Sequence, residues 1–297
     1  MLVIASRGSQ LALWQAHWVE RELAALGYDS RIEIIKTTGD KITDVPLAQV
    51  GGKGLFTKEI EEALLDGRAD LAVHSLKDLP TELPAGLVLA ATPERQDPRD
   101  AIVGRRLADL PAGATLGTSS LRRAAQLRQV RPDLRIEPVR GNLDTRLRKL
   151  DEGQYDAIVL AAAGLKRLGW ENRIAEILEP DVVCPAVGQG ALAIETGGGT
   201  GLLACQKLNH APTEQAVTAE RALLAALGGG CQVPIGAYAI VTGDRLSLQS
   251  VVVSPDGARV VRDRSEGPAA DAARIGRELG EALLAAGADS ILESVYG

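Results

Sequence analysis

The chain has 297 residues, long for one hydrophobic core, so two or three domains are expected. Hydrophobic residues make up 45% and charged residues 24%, the balance of a soluble globular protein, and with a single Phe the core must be aliphatic. A net charge of −6 argues against a general nucleic-acid binder, and three cysteines without CxxC spacing argue against a disulfide framework or a structural zinc site.

That cysteine usage suits a reducing cytosol. The N-terminus runs straight into a strand and shows no signal-peptide pattern. No apolar stretch approaches the roughly 20 residues needed to span a membrane. A cytoplasmic protein without a membrane partner is expected.

The first two-thirds alternate short apolar strands with amphipathic helices. Val3 to Ala5 reads as a strand. Ser9 can cap a helix from Gln10 to about Leu26, with Leu11, Trp14 and Trp18 on one face and Gly27 as its stop. Arg31 to Lys36 is a strand. Thr57 can cap a helix from Lys58 to Asp66, and Ala69 to His74 is the next strand. A second α/β stretch begins near Asp100. It holds strands at Thr115–Gly117, Arg135–Val139 and Tyr155–Ala161. Helices open at Ser120 and Asn142, and a short one runs through Lys166 and Arg167. Residues 94–100 and 185–190 are rich in Pro, Gly and charge and read as crossings between two lobes. Ala191 to Glu195 then returns to the first lobe. Two lobes with two crossings make a hinged cleft, and open α/β sheets bind ligands outside the carboxyl ends of their strands.

The last third changes character. Pro212 to Leu227 is helical. Strands follow at about Ile235–Val241, Arg245–Val253 and Ala258–Arg264, and a helix from about Pro268 to Ala286 closes the chain. The expected division is 1–95 with 189–210, 96–188, and a small α+β domain at 211–297.

Three features carry chemistry. Cys231 lies in Gly228-Gly229-Gly230-Cys231-Gln232-Val233-Pro234, where glycines neither shield the sulfur nor stiffen the backbone, so the thiol is open to modification. Cys205 and Cys184 read as buried structural residues. Arginines recur where strands end and helices begin: Arg7, Arg122, Arg123, Arg140, Arg146 and Arg167. A cation in the first turn opposes the helix dipole by about 0.3–1 kcal/mol, so Arg122 and Arg123 break a local rule. A polyanion would compensate. Between Arg122 and Lys149 nine basic residues face three acidic ones. Arg128, Arg131, Arg135, Arg148 and Lys149 read as a solvated face, whereas Arg122, Arg123 and Arg140 read as anion-binding. Asp78 is the one carboxylate among these loop cations. It reads as a helix cap, as one half of a surface ion pair, or as an ionised functional group. The three histidines form no triad or metal set by spacing, and His74 can be a core or supporting residue.

Several longer motifs stand in order. They are Ser6-Arg7-Gly8-Ser9-Gln10-Leu11-Ala12, Val50-Gly51-Gly52-Lys53-Gly54-Leu55-Phe56 and His74-Ser75-Leu76-Lys77-Asp78. Next come Gly117-Thr118-Ser119-Ser120-Leu121-Arg122-Arg123, Arg140-Gly141-Asn142 and Ala163-Gly164-Leu165-Lys166-Arg167. Pro185-Ala186-Val187-Gly188-Gln189-Gly190 and Gly229-Gly230-Cys231-Gln232-Val233-Pro234 complete the set. In these the chain resembles the porphobilinogen deaminase, or hydroxymethylbilane synthase, family over essentially its full length.

The resemblance implies two periplasmic-binding-protein-like lobes and a small cofactor-bearing domain. It implies a dipyrromethane on Cys231 through a thioether. Four porphobilinogen molecules would be condensed there with loss of ammonia, and linear hydroxymethylbilane released by hydrolysis. By motif, Lys77, Thr118, Ser120, Arg122, Arg123 and Arg146 would hold the cofactor carboxylates. Arg7, Ser9, Arg140 and Arg167 would handle porphobilinogen and the growing oligopyrrole, and Asp78 would be catalytic. No metal or nucleotide is required, and a monomer is expected. The chemistry agrees: acetate and propionate groups suit bidentate arginines, and loss of ammonia leaves a cation that a fixed carboxylate stabilises.

The chain departs from the family at Glu195-Thr196-Gly197, where an Arg commonly follows this Glu by two residues. The connection 197–201 is therefore expected to be looser. The glycine-bearing loop Thr38–Gly54 can act as a lid with Phe56 near its base. A non-enzymatic two-lobed receptor for an anion would explain the arginines but not Cys231. A nucleic-acid binder fits neither the acidic charge nor the few aromatics.

Overall fold

The computed structural model describes residues 1–41, 54–229 and 233–296. Cys231 and most of the expected lid, 42–53, lie outside the described residues. The chain forms two compact units: Met1–Gln96 with Ala191–Glu214, and Asp97–Gly190 with Gln215–Gly297.

In the first unit, β1 (Leu2–Ser6) pairs in parallel with β2 (Ser30–Ile34) and β3 (Leu71–Ser75). β10 (Leu192–Thr196) returns antiparallel between β3 and β4 (Val88–Ala91), giving the order β2-β1-β3-β10-β4. Alternation along the strands loads both faces. Leu2, Ile4, Leu71 and Val73 meet helix α1 (Gln10–Ala25) through Ala16, Val19 and Leu23. Ala5 and Ala72 pack with Ile60, Ala63 and Leu64 of α2 (Lys58–Leu65). The buried stripe of α1 is Ala12, Ala16, Val19 and Leu23, not the expected Leu11, Trp14 and Trp18. Small side chains let the helix lie close to the sheet, and Trp18 fills only the margin. Thr57 precedes α2 without a side-chain cap bond.

The second unit repeats the plan. β6 (Thr115–Gly117) pairs in parallel with β7 (Arg135–Glu137) and β8 (Ala157–Ala161). β5 (Asp100–Gly104) lies antiparallel between β8 and β9 (Ile174–Leu178), giving β7-β6-β8-β5-β9. In both sheets the fourth strand is the one by which the chain enters that unit from the other. Ile102 and Val159 share a core with Leu127 of α3 (Leu121–Val130). Ala101, Val103, Ile158 and Leu160 share another with Leu147 of α4 (Leu143–Asp151) and Leu165 of α5 (Ala162–Arg167). Gly117 is needed where it stands: a Cβ there would lie 2.8 Å from the Tyr155 ring and 2.9 Å from Ile158.

Residues 197–201 are not a loose tract. Helix α6 (Gly199–Cys205) starts inside them, and Thr196 Oγ1 donates to Asp70 O at 2.7 Å and accepts from Gly198 N at 3.2 Å. Those bonds hold the turn that leads into α6.

Helix α7 (Ala211–Ala226) leads to an antiparallel sheet of β11 (Ile235–Thr242), β12 (Arg245–Val253) and β13 (Val260–Pro268). Leu246, Leu248 and Val252 face α7 and α8 (Ala272–Leu283), whereas Val251 and Val253 pack on Ala125 of α3 and on Cys184. Gly276 lets α8 approach α7: a Cβ there would lie 2.2 Å from Ala219 O. The expected helix ends where Gly287, with a φ of 100° open to glycine, breaks it, and a further helix that was not expected, α9 (Asp289–Tyr296), follows.

Among the described residues no helix is long and apolar enough to cross a membrane.

Candidate active site

In the first unit, the expected residues sit where β1 and β3 end. β3 runs into a single 3-10 turn, Leu76–Asp78. Leu76 and Leu79 are buried, and Leu79 N donates to Leu76 O at 3.1 Å. Between these two anchors Lys77 is half-buried and Asp78 is exposed. Asp78 is the last residue of this short turn, so it caps no following helix. Leu76 N donates to Ala191 O at 3.0 Å, which ties the turn to the start of β10.

Arg7 follows β1 and is not an open cation. Its Nε donates to Asp40 Oδ1 at 3.1 Å, and its guanidinium lies 4.2 Å from the Phe56 ring centroid. Burial would raise the Asp40 carboxyl, but Arg7 and the Thr37 donors outweigh it and hold the group below the usual carboxylate range. Ser9 is the N-cap of α1, its Oγ accepting from Ala12 N at 3.3 Å.

In the second unit, β6 ends at Gly117 and Thr118 follows, its Oγ1 accepting from Ser120 N at 3.2 Å. Ser120 caps α3 by accepting from Arg123 N at 3.4 Å. Arg122 and Arg123 then turn inward, only 4% and 6% exposed, onto a fully buried carboxylate that sequence reasoning missed: Asp100, the first residue of β5. Arg122 Nη1 reaches Asp100 Oδ2 at 2.7 Å. Arg123 Nη2 and Nε reach Asp100 Oδ1 at 2.7 and 2.9 Å. Burial alone would raise the Asp100 carboxyl, but the two guanidinium groups hold it well below the usual range. Two cations stand against one anion in this group, and one buried positive charge is left over. An uncompensated buried charge is costly, so the arrangement is suited to a bound carboxylate.

Gln189 joins the same network. Its Nε2 donates to Asp100 Oδ1 at 2.8 Å and to Pro98 O at 2.7 Å. Arg167 is buried, donates through Nη2 to Gly190 O at 2.7 Å, and burial pulls its pKa down to about 10. Neighbouring Lys166 reaches Asp97 Oδ2 at 2.9 Å. Adjacent residues of α5 thus hold the two chain segments by which this unit begins and ends its α/β part. Arg140 precedes Gly141 and is half-buried. Arg146 Nε donates to Gly141 O at 2.8 Å, bracing the turn that carries Arg140.

Three arginines read as a solvated face also brace backbone carbonyls, Arg135 while remaining exposed. Arg128 donates to Pro255 O at 2.7 Å, Arg131 to Leu110 O at 2.7 Å, and Arg135 to Gly113 O at 3.0 Å. Each ties down a turn carbonyl, a use that charge and spacing do not reveal. Cys184 and Cys205 are buried, and burial pushes both thiols up to about 12, far from thiolate at neutral pH. An open cavity of about 430 Å³, lined by Gly104, Arg105, Asp151, Tyr155 and Arg173 among others, lies at the opposite end of β5 from Asp100 and contains none of these groups.

Asp100 and Gln189 carried weak signals: an acid opening an apolar strand, and a glutamine inside an ordered motif. Only the fold pairs them with Arg122 and Arg123.

The chain matches the family model described as porphobilinogen deaminase, dipyromethane cofactor binding domain, over residues 2–201. It matches the porphobilinogen deaminase C-terminal domain over residues 214–285. A porphobilinogen deaminase of Trichlorobacter lovleyi is 54% identical, over 99% of this chain and 96% of that protein. One of Gloeobacter violaceus is 55% identical, over 99% and 94%. Among solved structures, a periplasmic substrate-binding protein of an ABC transporter from Coxiella burnetii is similar with a TM-score of 0.44 at 12% identity, over 74% of this chain and 97% of that one, too slight a likeness to bear on function. Two successive domain models and relatives more than half identical end to end leave one assignment: the chain belongs to the porphobilinogen deaminase family.

Proposed function

We propose that this chain is a transferase of tetrapyrrole biosynthesis that joins four porphobilinogen molecules head to tail and, with one water, releases linear hydroxymethylbilane. In each step the aminomethyl C–N bond breaks and ammonia leaves. The methylene carbon joins the free α-carbon of the preceding pyrrole, which gives up a proton. The dipyrromethane, when bound, supplies the first such pyrrole.

The observation that carries this reading is the buried pair Arg122 and Arg123 sharing one carboxylate, Asp100, within the region matched by the cofactor-binding model. Acetate and propionate side chains fit a donor set with one cation in surplus. Arg122, Arg123 and Arg146, with Lys77, Thr118 and Ser120, would hold those carboxylates. Cys231, outside the described residues, would carry the thioether. Arg7, Ser9, Arg140 and Arg167 would handle porphobilinogen and the growing oligopyrrole. Arg7 would do so from its stack on Phe56, and Ser9 and Arg167 while also holding their backbone contacts.

Asp78 would stabilise the cation left when ammonia departs and accept the pyrrole N–H. Its place on a turn pinned by Leu76 and Leu79 supports that role, because a fixed carboxylate need not reorganise as charge develops.

The proposed division remains 1–95 with 189–210, 96–188, and 211–297. The chain is proposed to act as a monomer in the cytoplasm. The test is intact mass of the purified protein before and after porphobilinogen. The reading requires a two-pyrrole adduct that grows by whole pyrrole units, and an unmodified chain that stays unmodified would refute it.

A further inference from the structure

The two neighbouring arginines are not equivalent. Arg123 commits all three of its nitrogens. Nε and Nη2 go to Asp100 Oδ1 at 2.9 and 2.7 Å, Nη2 also to Gln189 Oε1 at 3.4 Å, and Nη1 to Val159 O at 3.1 Å. Arg122 uses only Nη1, which donates to Asp100 Oδ2 at 2.7 Å and to Cys184 O at 2.5 Å. Its Nε and Nη2 make no hydrogen bond to the described residues.

We propose that Asp100 is a positioning residue for cofactor loading: braced by Arg123 and Gln189, it aims Arg122 so that the free edge of that guanidinium takes a carboxylate. This rests on the cofactor reading above.

The physics is that of a relay of fixed contacts. Asp100 has no solvent exposure and is reached from three side chains, so its two oxygens have defined places. Oδ1 faces Arg123 and Gln189, and Oδ2 faces Arg122. A guanidinium is a planar fork, so fixing Nη1 at two acceptors fixes the direction of the Nε and Nη2 hydrogens as well. Those two remaining nitrogens present the bidentate edge that matches a carboxylate. Arg122 therefore offers the free bidentate edge of the pair, and Arg123, beside the charge it brings to the site, holds Asp100 in place. Gln189 adds a further constraint, because the same amide that donates to Asp100 donates to Pro98 O, two residues before Asp100 in the chain.

The experiment measures the fraction of purified chains that carry the two-pyrrole mass, with circular dichroism on each sample to confirm folding. A parent chain with no adduct would sink the cofactor reading itself. With the parent loaded, folded Asp100→Asn is expected to load at least about 10-fold less, the scale of one charge-assisted hydrogen bond lost. Asp100→Glu keeps the charge but moves the carboxylate by a methylene, so it covers the case in which the Asn variant does not fold. It too should load less than the parent. The readout that a merely structural role would not move is the coupling with Arg122. In an Arg122→Lys background, which already lacks the fork, adding Asp100→Glu should cost no further loading. Folded Asp100 variants that load like the parent would overturn the proposal. So would losses in Arg122→Lys and Asp100→Glu that simply multiply.

Discussion

His74 Nε2 lies 3.1 Å from Glu195 Oε2, with the two side chains 4% and 0% exposed. The bond crosses from β3 to β10, and His74 precedes by two residues the turn that carries Lys77 and Asp78. Alternation along β3 explains it: Leu71 and Val73 face α1, so Ala72 and His74 face α2. Glu61 of α2 is buried close to the pair. Burial raises its pKa and outweighs the lowering effect of Thr57, and the charge of Glu195 adds to the rise, while His74 opposes it.

The pH consequence has a definite sign. An acid whose folded pKa is raised contributes its stability below the unfolded value, about 4.3 for Glu, and loses it as pH rises through the folded value. Ionised Glu61 therefore costs stability at neutral pH. Glu61→Gln should raise the melting temperature at pH 7 and give no gain at pH 4 or below. Thermal unfolding at the two pH values checks this, and equal shifts at both would point to packing instead of charge.

Acid stability of the second unit should behave in the opposite sense. Burial would raise Asp97, but bonds from Arg99 and Lys166 outweigh it and depress its pKa, and Asp100 is depressed by Arg122 and Arg123. Such groups add stability above the unfolded value, about 3.9, that is lost as pH falls through the lower folded values. Asp97→Asn should lower the melting temperature at pH 7 and narrow its gap from the parent below pH 3.

The arginine pair should separate by stability. Arg123→Ala removes every bond of a committed buried side chain and should cost about 3–5 kcal/mol, the usual result of breaking a buried ion pair. Arg122→Ala leaves Asp100 paired with Arg123 in charge balance, so it should lose cofactor loading with a much smaller loss of stability. Arg128→Ala removes one bond to Pro255 O and should cost about 1 kcal/mol while retaining loading. Urea titration beside intact mass reads both quantities. Equal destabilisation by Arg122→Ala and Arg123→Ala would contradict the division of roles.

Asp78 should be needed for turnover and not for loading. Asp78→Asn keeps shape and hydrogen bonding but removes the charge, and should slow hydroxymethylbilane formation by about 10²-fold or more at saturating porphobilinogen. Asp78→Glu should retain more activity than Asn. Asp78 is exposed on a turn where it caps no helix, so folding should be unaffected by either.

Strand alternation, cap residues and ordered motifs made the α/β plan, Ser9, Ser120 and the arginine-rich strand ends legible. What stayed hidden depends on three-dimensional partners. Asp100 looks like the last residue of the charged crossing 94–100 until β5 is placed beside β8, where it meets Arg122 and Arg123. Arg128, Arg131 and Arg135 look solvated because their acceptors are backbone carbonyls distant in sequence. β4 and β9 were missed because neither is a fully buried apolar run: β4 has exposed Val88, and β9 has Glu176 in its middle. The stripe of α1 was misplaced because tryptophans outweigh alanines in a hydrophobic count, whereas close packing prefers the alanines.

The most direct test of the central claim is intact mass of the purified parent chain and of Cys231→Ser, with and without porphobilinogen. Cys184 and Cys205 are buried thiols held far from thiolate, so neither can substitute as the anchor. The parent should carry the mass of two pyrrole units and gain further whole units on mixing with porphobilinogen, and Cys231→Ser should carry neither. An adduct that persists in Cys231→Ser, or a parent chain that never acquires one, would contradict the account.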